Sequence, residues 1–265
     1  MKPSFMNLTY VLAAAMLVSC SIKEDRSGCP CCLVLDVDAF VDGGFCNGGA
    51  VAVRSRGLDF SGEVELPSLY GSGYVKEVPR TMVSAACAAG IRSCSLDGSI
   101  VRVPLGKRAD SLMAFACTVI PDGDELVVVT VPHKQYCLVH MIAGPPEEYA
   151  GYDVMITGGC SGLELISLKP ERGEMRTFAS HKEDGTFEAV LLRQDERASL
   201  VLDMLDGAGG SLYTIDLSAA LEEASYDWNK TDLDDVTLRV DYARAEVFIE
   251  ISEWDSDENY RNVEI

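Results

Sequence analysis

Bases, histidines and tryptophans are the scarce residues of this 265-residue chain, and each shortage closes off a class of function. Lysine and arginine number 22 against 42 aspartates and glutamates, a formal charge of −20. Neutralising a nucleic-acid backbone or an anionic membrane face needs clustered cations, so neither is the main partner. The three histidines, His133, His140 and His181, have no zinc-protease spacing, and no Gly-x-Ser-x-Gly turn exists to present a serine nucleophile. No repeat of fixed period runs through the chain, which argues against solenoids and propellers. Long hydrophobic runs are missing too. The longest, Tyr10 to Val18, has nine residues, under half of the roughly 20 that cross a bilayer. What remains is globular, 48% apolar and 24% charged, and of a length that favours two domains.

The nine-residue run follows the lone charge of Lys2 and ends in Leu17-Val18-Ser19-Cys20. This is the layout of an export signal over residues 1–19, and the small residue before cysteine resembles a bacterial lipobox, with Cys20 as the acylated first residue of the mature chain. Buried acyl methylenes contribute about 0.8 kcal/mol each, so several chains on one cysteine hold a protein to a bilayer durably. A polar linker, residues 20–28, follows. Within it Lys23-Glu24-Asp25 resembles the short signal that sends Bacteroidota lipoproteins to the outer face of the outer membrane; a plain solvated linker explains the same three residues equally well. The expected location is the cell outer membrane, lipid-anchored and displayed at the surface.

Beyond Cys29 the sequence consists of short apolar runs of period two, bounded by Gly, Pro and Asp. They include Leu33 to Val41, Ala50 to Val53, Ser111 to Ile120, Glu125 to Val131, Tyr136 to Ile142, Thr186 to Leu192 and Val236 to Tyr242. Such alternation marks strands with one buried and one wet face. Only Ser218 to Tyr226 reads as helix, with Ser218 as its N-cap. The composition shifts near Pro132-His133: residues 29–132 hold 12 acids and 8 bases, residues 133–265 hold 28 and 11. The expected fold is all-β, with an N-terminal sandwich over 29–132 and a C-terminal sandwich with one short helix over 133–265.

Little in the chain points to chemistry. Cys29-Pro30-Cys31-Cys32 is too crowded for structural zinc. Cys87 and Cys94 are either bridged or simply buried thiols. Asp255-x-Asp257-x-Asn259 begins like a calcium loop but lacks the glycine that should follow. Asp232-x-Asp234-Asp235 reads as a polar turn entering a strand. Asp110-Ser111-Leu112 resembles an acceptor for O-linked glycan, a motif short enough to occur by chance. Trp228 and Trp254, with Tyr226 and Tyr260, form either a sugar-stacking platform or sandwich packing. No metal, cofactor or catalytic group is expected.

The acylated Cys20, the Cys29-Pro30-Cys31 just beyond it and the Asp-containing first strand at Leu33 to Asp38 resemble the fimbrillin-A-associated anchor proteins of Bacteroidales fimbriae. Leu212 to Leu217 leading into a helix, then Tyr226-x-Trp228, Leu233-Asp234-Asp235-Val236 and Ile251-Ser252-Glu253-Trp254 resemble that family's C-terminal domain. The chain departs from the pattern in its surplus of cysteines and in the Ala- and Cys-rich residues 82–89. The resemblance implies two transthyretin-like Greek-key sandwiches and an outer-membrane lipoprotein that anchors or helps assemble a fimbria by β-strand addition with a fimbrial subunit. It implies no catalysis. Polymerising subunits of related fimbriae lose their first strand to proteolysis. An anchor cut at Arg54 or Arg56 would leave its lipid, so no such cut is expected here. The competing readings are a glycan-binding surface lipoprotein of a polysaccharide-uptake system and, third, a surface hydrolase.

Overall fold

The computed structural model describes residues 29–143, 152–241 and 246–254. The chain opens with β1 (Pro30–Asp36), a one-turn helix α1 (Asp38–Asp42), β2 (Gly49–Ser55), β3 (Leu58–Val64), β4 (Tyr74–Pro79), β5 (Val83–Ala89), β6 (Ser95–Asp97), β7 (Ile100–Arg102), β8 (Met113–Val119) and β9 (Glu125–Val129). It continues with β10 (His133–Lys134), β11 (Tyr136–Ala143), β12 (Asp153–Glu164), β13 (Lys169–Phe178), β14 (Ser180–His181), β15 (Phe187–Leu192), β16 (Leu200–Leu205) and β17 (Ser211–Asp216). The helix α2 (Leu217–Glu223), β18 (Asp235–Asp241) and β19 (Glu246–Ser252) complete it. The architecture is the expected β-sandwich type.

Four sheets pack as two pairs. In the first, the three-stranded order β4-β1-β9 faces the five-stranded order β10-β8-β5-β2-β3. Alternation in β1 puts Cys31, Leu33 and Leu35 inward, against Val51 and Val53 of β2, Val83, Ala85 and Cys87 of β5, and Phe40 of α1. In the second, β14-β15-β11-β18-β19 faces the sheet that holds β17-β16-β12, and Val139, Ile156, Leu191, Leu202, Trp228 and Leu238 meet in the core between them.

A third core joins the pairs. Ala50, Ala52, Ala86 and Ala88 lie on the far face of β2 and β5, buried beneath Val101, Leu163, Leu165, Val190 and Leu192. This close approach needs small side chains on the β2–β5 face. The β6–β7 hairpin, early in the chain, extends a sheet otherwise built from late strands, because β7 pairs with the far end of β12 through Val101 opposite Leu163. The strand β12 reaches both pairs by shifting register at Gly158, Cys160 and Gly162, the kind of glycine-marked irregularity that bends a strand. A Cβ on Gly162 would stand 2.6 Å from the Val101 carbonyl.

Three local readings of the sequence need correction. The run Leu33 to Val41 is not one strand: it breaks at Asp36, whose carboxylate accepts the Asp38 amide at 3.0 Å, an Asx-type turn that starts α1. The N-cap of α2 is Asp216, not Ser218; its carboxylate accepts the Ala219 N–H at 3.0 Å. Ser218 lies in the first turn, where its hydroxyl accepts from Leu200 N at 2.5 Å and donates to Ala198 O at 3.1 Å. The helix also stops at Glu223, three residues short of Tyr226. There Ser225 takes the left-handed φ of 60° and the Tyr226 N–H reaches back to Leu221 O at 2.9 Å, a Schellman-type end with serine in the usual glycine place.

Candidate assembly surface

The proposed lipidation residue Cys20 and the export signal Lys23, Glu24 and Asp25 lie outside the described residues. What the structure places directly after that linker is β1, and β1 is the middle strand of its sheet. Six residue pairs, Pro30–Pro79 to Leu35–Tyr74, join it antiparallel to β4, and five, Cys32–Glu125 to Asp36–Val129, join it parallel to β9. Two anchors fix the ends of β9. The Arg80 guanidinium binds the Asp124 carboxylate and donates to Asp122 O at 3.2 Å, and Thr130 donates through both its N–H (3.0 Å) and its hydroxyl (2.6 Å) to Asp36 O.

The strand β9 is an edge of its sheet. Leu126 and Val128 face the core, while Val127 and Val129 face outward at 52% and 62% exposure, with Val131 just beyond at 45%. Register aligns Val127 with Val34 of β1 and Val34 with Val75 of β4, itself 55% exposed. The result is a valine row across an open sheet face. No charge interrupts residues 126–131. Natural edge strands are usually blunted by charge, and three other edges here follow that rule: β3 carries Asp59 and Glu63, β4 Lys76 and Glu77, and β19 Glu246 and Glu250, whereas β17 is uncharged over residues 211–215. The β9 edge carries one charge, Glu125 at its first residue, and beyond it offers free backbone donors and acceptors to another strand.

A buried polar knot sits just past β9. Lys134 is 0% exposed; its Nζ donates to Asp235 Oδ1 at 2.5 Å and to Leu233 O at 3.0 Å, and lies 4.8 Å and 4.6 Å from the Tyr136 and Trp254 ring centres. Asp232 accepts the Lys134 N–H (2.7 Å) and pairs with His133 Nδ1 (3.0 Å). Burial pushes the Asp232 carboxyl up, but the bonds from His133 and Lys134 outweigh it and hold the group low. The buried Arg193 donates to Gln135 Oε1 at 2.9 Å, to Lys230 O at 2.8 Å and to Trp228 O. Burial works against the charged form of Arg193 and lowers its affinity for the proton.

The remaining sequence candidates turn out to be packing or local structure. Asp232-x-Asp234-Asp235 is more than a surface turn, since each acid holds part of the knot: Asp234 binds Lys230 Nζ at 2.6 Å and Trp254 N at 3.2 Å. Trp228 is 6% exposed and in the core, edge-on to Tyr226 at 4.7 Å, so these residues give no open sugar platform. Tyr260 and the Asp255-x-Asp257-x-Asn259 turn lie outside the described residues. Cys87 and Cys94 are unbridged, as are all nine described cysteines; burial pushes both thiols up to about 12. Asp110 of the glycan-acceptor motif is buried, its carboxylate accepting the amides of Arg92 (2.8 Å), Ser93 (2.8 Å) and Cys94 (2.7 Å) and the Ser93 hydroxyl (2.5 Å). Among the described residues no group of His, Cys, Asp and Glu is arranged to hold a metal, and no helix is long and apolar enough to cross a membrane. The valine edge and the Lys134–Arg193 knot were missed by sequence reasoning. The uncharged run was visible in the sequence, its edge position was not.

No protein-family model and no curated protein sequence matches the chain. Solved structures do. A protein described as a candidate polysaccharide-binding protein of Bacteroides thetaiotaomicron superposes with a TM-score of 0.56 at 13% identity, covering 86% of this chain and 99% of that one. The fimbrial anchor protein Mfa2 of Porphyromonas gingivalis gives 0.55 at 11% identity, covering 85% and 98%. A candidate adhesin of Bacteroides ovatus gives 0.54 at 11%, covering 85% and 94%. The chain therefore shares the fold of these candidate adhesin and polysaccharide-binding proteins and of a fimbrial anchor protein.

Proposed function

We propose that this chain is a lipid-anchored outer-membrane protein, tethered through Cys20, that anchors or helps assemble a fimbria at the cell surface, and that a fimbrial subunit joins it by adding a strand to β9. The valine-faced edge, free of charge beyond Glu125, carries the reading: main-chain bonds along β9 supply affinity and the alternating valines supply specificity. The fold shared with Mfa2 supports it. So does the place of β1, which follows the tether at once and is paired on both sides, so that a pull on the lipid is resisted by the sheet. A site for catalysis forms no part of this reading.

The test is a pull-down of tagged protein from crosslinked, detergent-solubilised outer membrane, beside a Cys20→Ala control and a Val127→Lys/Val129→Lys variant. A ladder of fimbrial subunits should co-purify with the native chain, be lost from the membrane fraction with Cys20→Ala, and weaken with the double lysine. Recovery with a polysaccharide-uptake complex instead, or an intact mass showing a chain that begins near Gly57, would overturn the proposal.

A further inference from the structure

Where the loop after α1 meets the loops 90–93 and 108–111, and all three meet β11 and β15, the surface opens into a cavity of about 380 Å³, within the range of small-ligand pockets. Its lining includes Phe45, Asn47, Arg92, Ser93, Arg108 and Tyr136. Two arginines in one pocket stand out on a chain of charge −20. Arg108 donates to Ser180 Oγ at 3.0 Å and to Glu188 Oε1 at 2.5 Å, and Lys182 Nζ binds the same carboxylate oxygen at 3.0 Å, so two cations share one acid. The other acid, Asp110, spends its oxygens on the donors of residues 92–94. Those bonds hold the Arg92 backbone in place and leave its side chain exposed, with no ion pair among the described residues. The tight loop depends on Gly90, at φ 94°, where a Cβ would lie 2.3 Å from Ser111 O.

We propose that this pocket binds a carboxylate-bearing saccharide: Arg92, supported by Arg108, pairs with the carboxylate, the polar side chains of Asn47 and Ser93 take hydroxyls, and the Phe45 and Tyr136 rings face the sugar's apolar surface. A guanidinium matches a carboxylate with two parallel bonds, and aromatic walls with a few convergent polar groups are what a sugar ring needs. The proposal shares no residue with β9, so it stands or falls apart from fimbrial attachment.

The test is calorimetric titration of the detergent-solubilised full chain with trigalacturonate and with neutral galactotriose. Trigalacturonate should bind saturably, while galactotriose and the Arg92→Ala variant should each show affinity lower by roughly tenfold or more, the loss of one charged hydrogen-bonded contact. Because Arg92 is an exposed side chain, the variant should melt with the native protein. No saturable binding, equal affinity for the neutral sugar, or an Arg92→Ala variant that melts normally and binds as the native chain does would each overturn the proposal. If Arg92→Ala fails to fold, Asn47→Ala, also on an exposed residue, takes its place and must weaken trigalacturonate binding.

Discussion

The buried pair Lys134 and Asp235 should respond asymmetrically to loss of its two halves. In Asp235→Ala the Lys134 ammonium stays fully buried and keeps only Leu233 O and two ring faces as partners, while the Leu138 N–H, now 2.7 Å from Asp235 Oδ1, loses its acceptor. Stranding a buried charge costs about 3–5 kcal/mol, and since the Asp235 side chain is 29% exposed water recovers part of it, leaving about 2–4 kcal/mol. Lys134→Met keeps an apolar stem against Tyr136 and Trp254 and leaves Asp235 with the Leu138 N–H and some solvent, so its cost should be about 1 kcal/mol. The double variant Lys134→Met/Asp235→Ala should be more stable than Asp235→Ala alone. In urea titrations followed by fluorescence, with thermal melts beside them, the aspartate variant should melt lower by roughly 5–15 °C. An Asp235→Ala variant no less stable than Lys134→Met would refute the view that a compensated buried ammonium ties residues 133–138 to 227–235.

Ser225→Gly should raise stability by up to about 1 kcal/mol, because glycine takes the left-handed φ that serine holds at a cost; a loss in urea midpoint would contradict the assigned helix end. For Asp110, burial raises the carboxyl's pKa, but the bonds from Ser93, Cys94 and Arg92 outweigh it and the folded value lies below the unfolded one. Its contribution is therefore whole above the unfolded pKa and lost as pH falls through the folded one. Urea midpoints measured from pH 5 to pH 2 should fall less steeply in Asp110→Asn than in the native chain, and parallel slopes would count against the assignment. Native alkylation with iodoacetamide, read by peptide mass, should label exposed Cys29 long before buried Cys87 and Cys137, whose thiols are both pushed up to about 12; equal labelling would mean these strands open readily.

Strands with one wet face were legible in the sequence, and strands without one were not. The run Val236 to Tyr242 alternates cleanly in the sequence, and its described part, residues 236–241, lies in β18. Residues 83–89 gave no period because β5 is buried on both faces, Ala85 and Cys87 toward one core and Ala86 and Ala88 toward another, so the alternation has no polar phase to show. The opposite failure hid β13: Lys-Pro-Glu-Arg-Gly-Glu-Met-Arg-Thr-Phe reads as a charged loop, yet it pairs with β12 along its length and buries Met175 and Thr177. Neither the edge at β9 nor the arginine pocket was legible, since both depend on which strands and loops become neighbours. The parallel pairing of β1 with β9 spans about 90 residues of sequence, and nothing local specifies it. Lys134 was invisible for a related reason: a lysine is ordinarily a surface residue, and only the return of residues 232–235 makes its burial tolerable.

The position of β1 bears on how the chain would carry load in the proposed anchoring role. Under the proposed lipid tether at Cys20, a force on the lipid would enter the folded chain at Cys29 and run along β1 from its N-terminal end. Were β1 the edge strand, its bonds would open one at a time from that end. With β4 on one side and β9 on the other, eleven residue pairs lie along the line of pull and share it in shear. A fimbrial strand added to the free side of β9 would be one strand removed from β1, so tension between lipid and fimbria would cross two strand ladders of a single sheet and bypass the Lys134–Arg193 knot and the second sandwich. Under this geometry, weakening the knot by Asp235→Ala should lower thermal stability yet leave fimbriae attached to cells under flow at growth temperature. Replacing Val34 by proline, which removes a backbone donor from the middle of β1 and disfavours strand pairing there, should shed fimbriae and leave the tagged chain, still whole, in the membrane. Shedding in the first variant but not in the second would place the load path through the junction instead of through β1.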